Sequence, residues 1–304
     1  MHEIEITDIP ALSPGEQALL EMHGLINVLN VLRCELSLVG EELAGDSRLL
    51  GDSLAVCERM LEAVETPESA CAEAARCEEY ERTILGEVEA QLGFARKPRS
   101  AAMDESLANL CSIFTILRLR ARELLARSAA PGGWEPVALE ELRADYVHFL
   151  EAVAKNSRGR FRMCFNPARK EPGDYYVDLR LEAAAGNTVG IPIGFRDSFR
   201  DLLANARKYT PPGGHITVAL FADTTSIRIL VEDTGRGIPE AELATVMHYG
   251  KRASNVGDVR TKGGGFGLTK AFLLTKQFGG RFWIASELGV GTRIRIQIPR
   301  PPAN

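Results

Sequence analysis

Apolar residues recur every three or four positions through residues 14–128, a spacing typical of amphipathic helices. The first helix is predicted to begin at Ser13-Pro14, where serine can cap the helix and proline suits its first position. Its apolar seam fits a helical hairpin or a coiled coil. The seam consists of Met22, Leu25, Leu29, Leu32, Leu36, Val39 and Leu43.

Further helices are predicted after this one, with a loop at Ala95–Ser100. They span Ser47–Val64, Glu68–Phe94 and Met103–Arg127. The glycine- and proline-rich stretch AAPGGWEP at 129–136 predicts a linker. The N-terminal part is therefore expected to be an all-α hairpin or bundle over residues 14–128.

Beyond the linker, residues 137–300 combine helical and alternating patterns, which predicts an α+β sandwich with helices on one face of a mixed sheet. The predicted helices are Leu139–Lys155, Gly194–Tyr209, Glu240–Met247 and Phe266–Phe278. The predicted strands are Phe161–Phe165, Tyr175–Leu181, Thr188–Pro192, His215–Ala222, Ser226–Asp233, Arg281–Ser286 and Thr292–Ile298.

Composition narrows the class of protein. The 304 residues are 45% hydrophobic and 25% charged, as in ordinary soluble globular proteins. The net charge of -5 argues against nucleic acid as the main partner. The six cysteines form no CxxC pair, so a metal site is not expected from them. The chain has neither a long apolar run nor a signal-peptide pattern, and a cytoplasmic protein without a membrane span is expected.

The predicted helix Gly194–Tyr209 carries candidate chemistry on one face. Asp201, Asn205 and Lys208 follow one another at i, i+4 and i+7. The Asn205 carbonyl oxygen suits a magnesium ion, and Lys208 can neutralise phosphate. A solvated polar face is the alternative interpretation.

Two glycine segments follow. In VEDTGRGIP, Asp233 ends a predicted strand, where its carboxylate can accept a hydrogen bond from an exocyclic amine such as adenine N6. Gly235 and Gly237 allow backbone to approach a flat ring, although an ordinary turn is the alternative. In KGGGFGL, the glycines suit a loop that wraps anionic oxygens ahead of a helix N-terminus, or a flexible surface loop.

In this order, NARKYTPPGG, DTGRGIP, GGGFGL and GGRFWIASELGVGTRIRIQIP resemble the N, G1 and G2 boxes and the C-terminal end of GHKL (Bergerat-type) ATP-binding domains of sensor histidine kinases. The resemblance implies ATP and Mg²⁺ as cofactors, with magnesium held by Asn205, phosphates by Lys208 and adenine by Asp233. The residues between Met247 and Gly263 take the place of a mobile ATP lid. The full implied nucleotide-binding set is Asn205, Lys208, Tyr209, Asp233, Gly235, Gly237, Gly263, Gly265, Phe266, Gly267, Leu268 and Thr292.

Histidine kinases of this family carry a phosphorylated histidine on a helical hairpin ahead of the ATPase domain. The stretch EMHGLIN offers His23, which shares a helix face with Asn27 and is expected to face solvent. The resemblance implies that His23 and Asn27 are catalytic. Gly24 departs from the family, which places Asp or Glu directly after the histidine. A helix-surface histidine without a role is the alternative.

The resemblance implies an ATP-dependent protein-histidine kinase of a two-component system, which passes phosphoryl from His23 to a response regulator receiver domain. It also implies a homodimer through the helical bundle. The extra helices between residues 47 and 100 leave open a bundle closed within one chain. Input would come from these helices or from a separate sensor protein.

Three other functions remain open at this stage. The first is a kinase-like scaffold that binds a regulator through its helices. The second is a response-regulator phosphatase in which Asn27 orients water, and the third is a serine kinase of the anti-sigma type.

Overall fold

A computed structural model describes residues 1–64, 66–94, 100–155, 157, 159–257 and 264–301. The chain divides into two compact units. The helical unit spans Leu12–Pro131, and the α+β unit combines Met1–Ala11 with Gly132–Asn304. Residues 1–11 thus join a domain that the sequence analysis began at residue 137.

The described residues of the helical unit form five helices. They are α1 (Pro14–Ala44), α2 (Gly51–Ala63), α3 (Pro67–Ala75), α4 (Cys77–Phe94) and α5 (Ala101–Ala129). Ser13 and Glu16 form a reciprocal capping box at the start of α1, and Gly45 ends the helix in the left-handed region at φ 70°. The apolar seam of α1 lies in the core of this unit.

The predicted helix Glu68–Phe94 is wrong as a single element, because α3 and α4 meet at Arg76. The Arg76 backbone N–H donates a hydrogen bond to the Glu73 carbonyl. The Arg76 guanidinium lies 4.8 Å from the centre of the Tyr80 ring. Both segments keep an apolar helical face, so the periodicity alone did not show the break.

The α+β unit contains nine strands and three α-helices within the described residues. The strands are β1 (His2–Ile6), β2 (Trp134–Ala138), β3 (Met163–Cys164), β4 (Tyr175–Ala183), β5 (Thr188–Pro192), β6 (His215–Ala222), β7 (Ser226–Asp233), β8 (Arg281–Glu287) and β9 (Gly291–Pro299). The helices are α6 (Leu139–Lys155), α7 (Phe195–Tyr209) and α8 (Gly267–Gln277).

In the described part of this unit the main sheet has seven strands in the order β1-β8-β9-β7-β6-β4-β3, and β2 pairs with β5 in a separate ribbon. Strands β3, β4 and β6 run parallel and the other pairs are antiparallel, which confirms the predicted mixed sheet. Alternate residues of β6 are buried, and Ile216, Val218 and Leu220 share a core with Phe199 and Leu203 of α7. This packing fixes α7 against the sheet.

Three features depart from the sequence expectations. The predicted helix Glu240–Met247 is instead two 3₁₀ turns, Glu240–Glu242 and Thr245–Met247. Part of the predicted linker is strand β2, which pairs with β5 from Trp134 onward. Strand β1 was not predicted, and it forms the sheet edge beside β8. Each strand depends on a partner distant in sequence, which local patterns do not show.

No helix in the described part of the chain has both the length and the apolar character that a membrane crossing requires.

We expect Ile6→Ala to destabilise the α+β unit although Ile6 precedes the helical unit in sequence. Ile6 is 5% exposed and belongs to the core of the α+β unit. Loss of such a side chain costs about 2–4 kcal/mol, or roughly 5–15 °C in melting temperature. Both tryptophans, Trp134 and Trp283, lie in this unit, so tryptophan fluorescence follows its unfolding selectively.

The matched control is Glu3→Ala, which removes an exposed ion pair with Arg295 and should change stability by less than about 1 kcal/mol. Equal fluorescence melting curves for Ile6→Ala and the wild type would show that β1 is not part of this sheet.

Candidate nucleotide-binding site

The Asp233 carboxylate lies at the end of β7 and the residue is only 8% exposed. Burial raises its pKa to about 6, although hydrogen bonds oppose the shift. The Gly235 N–H donates to Oδ1 at 2.8 Å, and the Thr292 backbone and the Thr210 side chain also favour the ionised form. The Asp233 carboxylate is therefore buried, and the donors around it fix the directions in which its oxygens accept hydrogen bonds.

The glycines of the DTGRG turn are required by close packing of backbone. A Cβ on Gly235 would lie 2.6 Å from the Tyr209 carbonyl oxygen. Gly237 has φ 69°, and a Cβ there would lie 2.0 Å from the Glu287 carbonyl oxygen. Arg236 N–H donates to the Tyr209 carbonyl at 3.1 Å, which holds the turn against the C-terminal end of α7. These glycines therefore place Asp233 beside α7.

Helices α7 and α8 meet closely at Asn205. A Cβ on Gly267, the first residue of α8, would lie 2.8 Å from Asn205 Nδ2 and 3.4 Å from Asp201 Cβ. The absence of a side chain at residue 267 thus lets the N-terminus of α8 approach the Asn205 amide. Backbone N–H groups at a helix N-terminus favour anions.

A buried ion cluster joins the same two helices one turn away. Lys270 is 7% exposed and its ammonium pairs with Asp197 and with Asp201 Oδ2, the latter at 3.1 Å. Asp197 is 3% exposed. Since a buried charge is costly without a partner, this cluster holds α7 and α8 in register.

Lys208 and Arg252 give this region positive charge. Burial lowers the pKa of Lys208 to about 8, and the positive charges of Arg252 and Arg207 lower it further. The Lys208 ammonium lies 5.2 Å from the centre of the Tyr209 ring. Among the described residues neither Lys208 nor Arg252 forms an ion pair with a carboxylate. Such cations suit an anionic ligand.

The predicted G2 residues are only partly described. Gly263 lies outside the described residues. Gly265 has φ 77°, and a Cβ there would lie 2.7 Å from the Lys251 carbonyl oxygen. The Phe266 ring packs against Tyr249 with ring centres 4.8 Å apart. Leu268 packs against the core of the unit.

His23 and Asn27 lie on α1 in the helical unit. Asn27 Nδ2 lies 3.0 Å from His23 Nε2, so the amide can donate to the ring nitrogen when the histidine proton is on Nδ1. The imidazole is partly buried, more so than the sequence predicted. A Cβ on Gly24 would lie 3.6 Å from the Arg120 side chain, which pairs with Glu123 at 3.2 Å.

The structure places the Asp233 turn and Gly267 beside α7. Its C-terminal end contacts the Asp233 turn through Tyr209, and its middle contacts Gly267 through Asn205. Sequence reasoning did not single out Thr210, Arg252 or the pairing of Lys270 with the α7 carboxylates. Thr210 directly follows α7, so the sequence motif could have indicated it. The pairing of Lys270 with Asp197 and Asp201 depends on the tertiary fold, which sequence patterns do not show.

Residues 190–302 match the family described as histidine kinase-, DNA gyrase B-, and HSP90-like ATPase. This part of the chain is similar to that family of ATPases. Its relatives among known proteins are sensor histidine kinases.

The adaptive-response sensory kinase SasA of Synechococcus elongatus is 30% identical over 210 residues, which cover 66% of this chain and 50% of SasA. The histidine protein kinase DivJ of Caulobacter vibrioides is 33% identical over 99 residues, 33% of this chain and 16% of DivJ. The catalytic domain of histidine kinase ThkA shares 22% identity over 56% of this chain and 99% of the domain, at a TM-score of 0.40. The chain spans about half the length, or less, of these sensory kinases.

We expect Asp233→Asn to stabilise the α+β unit at pH 7.5 and to weaken ATP binding. In the folded protein the pKa of Asp233 is about 6, above its ordinary value of 3.8. The unfolded chain therefore ionises first as pH rises, so the stability that this group contributes below pH 4 is lost between pH 4 and pH 6. The neutral amide avoids that loss. It also removes an acceptor for the adenine amine, which should cost about 10- to 100-fold in affinity.

Thermal unfolding at pH 4 and pH 7.5, together with calorimetry with ATP, measures both effects. A variant whose melting temperature falls at pH 7.5, or whose ATP affinity equals that of the wild type, contradicts this role for Asp233.

We expect ATP affinity to fall as pH rises from 7 to 9. Lys208 has a pKa of about 8, and only the protonated ammonium attracts phosphate. The fall should approach about tenfold across this range. Lys208→Arg keeps its charge and should give a flatter profile in calorimetric titrations. An arginine variant with the wild-type slope would assign the titration to another group.

Proposed function

We propose that the chain is an ATP-dependent protein-histidine kinase of a two-component system, with His23 as the phosphoacceptor. One observation carries the proposal more than any other. The single helix α7 packs its C-terminal end against the buried Asp233 turn and its middle against the N-terminus of α8. An acceptor for a base and donors for phosphate therefore line one helix.

The donor set fits a magnesium-bound nucleotide. Asp233 would offer a buried carboxylate to the adenine amine, while Lys208 and the backbone N–H groups at the start of α8 would hold the phosphates. The described residues contain no group of three or more His, Cys, Asp or Glu side chains that could hold a metal alone. Magnesium is commonly bound by one or two protein oxygens together with substrate phosphates, and the Asn205 carbonyl supplies such an oxygen. Bound magnesium would neutralise charge on the transferred phosphoryl group.

The His23 ring supplies the nucleophile. In the transfer a bond forms between a ring nitrogen and the γ-phosphorus of ATP, the bond from that phosphorus to the β–γ bridging oxygen breaks, and ADP leaves. The ring proton passes to a base or to water. The Asn27 amide favours the tautomer with its lone pair on Nε2, and that hydrogen bond must open before Nε2 can attack. An exposed hydrogen bond of this kind costs only about 1 kcal/mol to break.

A response regulator receiver domain is the proposed phosphoryl acceptor after His23, by analogy with the sensor histidine kinases to which the chain is similar. For assembly, the family resemblance implies a homodimer through the helical bundle, and the helices between α1 and α5 offer an intrachain alternative. These helices or a separate sensor protein would provide the input.

One observation favours a second function. Residue 24 is glycine, and the Arg120 side chain packs beside it, so α1 supplies no carboxylate directly after His23. Without that base, the chain would act as a kinase-like scaffold or as a response-regulator phosphatase that uses Asn27.

Incubation with γ-labelled ATP separates these functions. We expect acid-labile label on the wild type, and loss of label in His23→Gln and in Asn205→Ala. His148→Gln, which changes an exposed histidine of α6, should keep the label.

Nucleotide binding without any label supports the scaffold or the phosphatase. Label that survives acid points to a serine acceptor and rejects the histidine kinase.

A further inference from the structure

The Ser286 hydroxyl, near the end of β8, is buried and uses its full hydrogen-bonding capacity. Ser286 is 3% exposed. Its Oγ accepts from the Ile238 N–H at 2.8 Å, donates to the Gly291 carbonyl at 2.7 Å and lies 3.0 Å from Thr292 Oγ1. Because its single proton goes to Gly291, the third contact is one that the Thr292 hydroxyl donates. One side chain thus joins β8 to the start of β9 and to the chain directly after the Asp233 turn.

The turn between β8 and β9 packs directly against the Asp233 turn. The Gly289 N–H donates to the Arg236 carbonyl at 2.9 Å. A Cβ on Gly291 would lie 1.8 Å from the Asp233 carbonyl oxygen, so the two backbones are in close contact. Ser286 and Gly291 flank the β8–β9 turn and are bonded to each other. The Ser286 hydroxyl therefore helps to hold this turn against the residues around Asp233.

Ser286 also belongs to a row of paired residues that crosses four strands of the sheet. The row runs from His2 of β1 to Ser286 of β8, and from there through Thr292 of β9 to Asp233 of β7. Side chains of directly paired residues lie on the same face of a sheet. The Thr292 backbone also forms a hydrogen bond that favours the ionised Asp233 carboxylate. The position of β8 therefore affects a donor of the buried carboxylate.

Strand β1 restrains β8 on the side away from β9. All five residues of β1 pair with β8, and His2 lies opposite Ser286. Glu5 forms an ion pair with Arg281 of β8, and the Ile6 side chain lies in the core of the unit. Without β1, β8 would be the edge of the sheet, and backbone groups at an edge lack partners and open more readily. Strand β1 thus holds the part of β8 that carries Ser286.

We propose that Ser286 is a positioning residue for the nucleotide site and that β1 maintains its position. The inference rests on the proposed binding of ATP at Asp233. Ser286 acts through the Ile238 N–H and through Thr292, which fix the Asp233 turn and one donor of its carboxylate. A coupling between two sites is reciprocal, so attachment of β1 and binding of nucleotide favour each other.

The first test removes the hydroxyl. Ser286→Ala leaves the Ile238 N–H and the Gly291 carbonyl without their side-chain partner, and calorimetric titration should show that ATP affinity falls about tenfold. The matched control is Ser226→Ala, because Ser226 is also buried and lies at the opposite end of β7 from Asp233. The control should bind ATP as the wild type does. Unchanged affinity in Ser286→Ala, or an equal loss in both serine variants, overturns the inference.

A second nucleotide separates positioning of the base from a general loss of stability. Inosine triphosphate carries an oxygen in place of the 6-amino group, so it lacks the donor proposed for Asp233. Ser286→Ala should weaken ATP binding about tenfold but inosine triphosphate binding by less than about threefold. An equal loss for the two nucleotides contradicts the positioning role. Failure of the wild type to bind ATP is a different result, which rejects the proposed function and this inference together.

The third test concerns β1 and uses hydrogen exchange with mass spectrometry. Glu5→Arg replaces the ion pair with Arg281 by two like charges. It should speed amide exchange at residues 2–6 and weaken ATP binding about two- to fivefold. Combining Glu5→Arg with Arg281→Glu restores opposite charges and should restore both values. Faster exchange in β1 together with wild-type ATP affinity shows that the strand and the site are not coupled, and overturns the role of β1.

The reciprocal measurement needs no substitution. Saturating ATP should slow amide exchange at residues 2–6 of the wild type, although β1 does not belong to the proposed site. Strand β3, at the other edge of the sheet, is the internal control and should be protected less. Equal protection of the two edge strands reflects stabilisation of the whole unit by its ligand and contradicts a specific coupling to β1.

Discussion

The candidate site depends on one buried negative charge. Asp233 is 8% exposed, and an ionised carboxylate at such a position is costly unless its surroundings donate hydrogen bonds to it. The groups that favour the charge come from the Gly235 turn, the residue after α7 and the start of β9. Their convergence requires β7, β9 and α7 to be in register, so the geometry of the proposed base-binding end depends on hydrogen bonds to this charge.

The proposed phosphate end depends on a second buried cluster of charges, with a positive charge at its centre. Lys270 is held between Asp197 and Asp201, and removal of one partner from such a cluster costs about 3–5 kcal/mol. The same pair of helices brings Gly267 against Asn205. Because α7 takes part in both charge networks, the distance between the two ends of the site is set by one rigid helix.

The motifs could be predicted from sequence because each is local. Strands β6 and β7 alternate clearly, and the helix that carries Asn205 has a continuous apolar face. The errors concern elements that depend on distant partners or on local hydrogen bonds. Strand β1 is stabilised by its pairing with β8. Residues 240–247 form 3₁₀ turns, and the Glu242 side chain accepts a hydrogen bond from the Ser254 N–H at 2.8 Å. The electrostatic effect of Arg252 on Lys208 could not be predicted either, because it depends on how the loop that carries Arg252 folds against α7.

The same long-range pairing makes the helical unit an insertion in the α+β unit. The chain leaves the α+β unit after β1 and re-enters it shortly before β2, so both ends of the helical unit connect to the α+β unit. An inserted unit is tolerated when its ends are close together. The contact between Arg127 and the Glu21 carbonyl meets this condition, because it joins the first turns of α1 to the last turns of α5.

This topology also bears on how the chain folds. Pairing β1 with β8 closes a loop of more than two hundred residues, and the entropic cost of closure rises with the length of flexible chain. Contacts within helices are local and form quickly, whereas the α1–α5 hydrogen bonds join residues 74 and 106 positions apart. Once the bundle has formed, its two ends lie close together, so the loop that must close between β1 and β8 contains fewer flexible residues. A bundle with adjacent ends therefore lowers the entropic cost of completing the sheet.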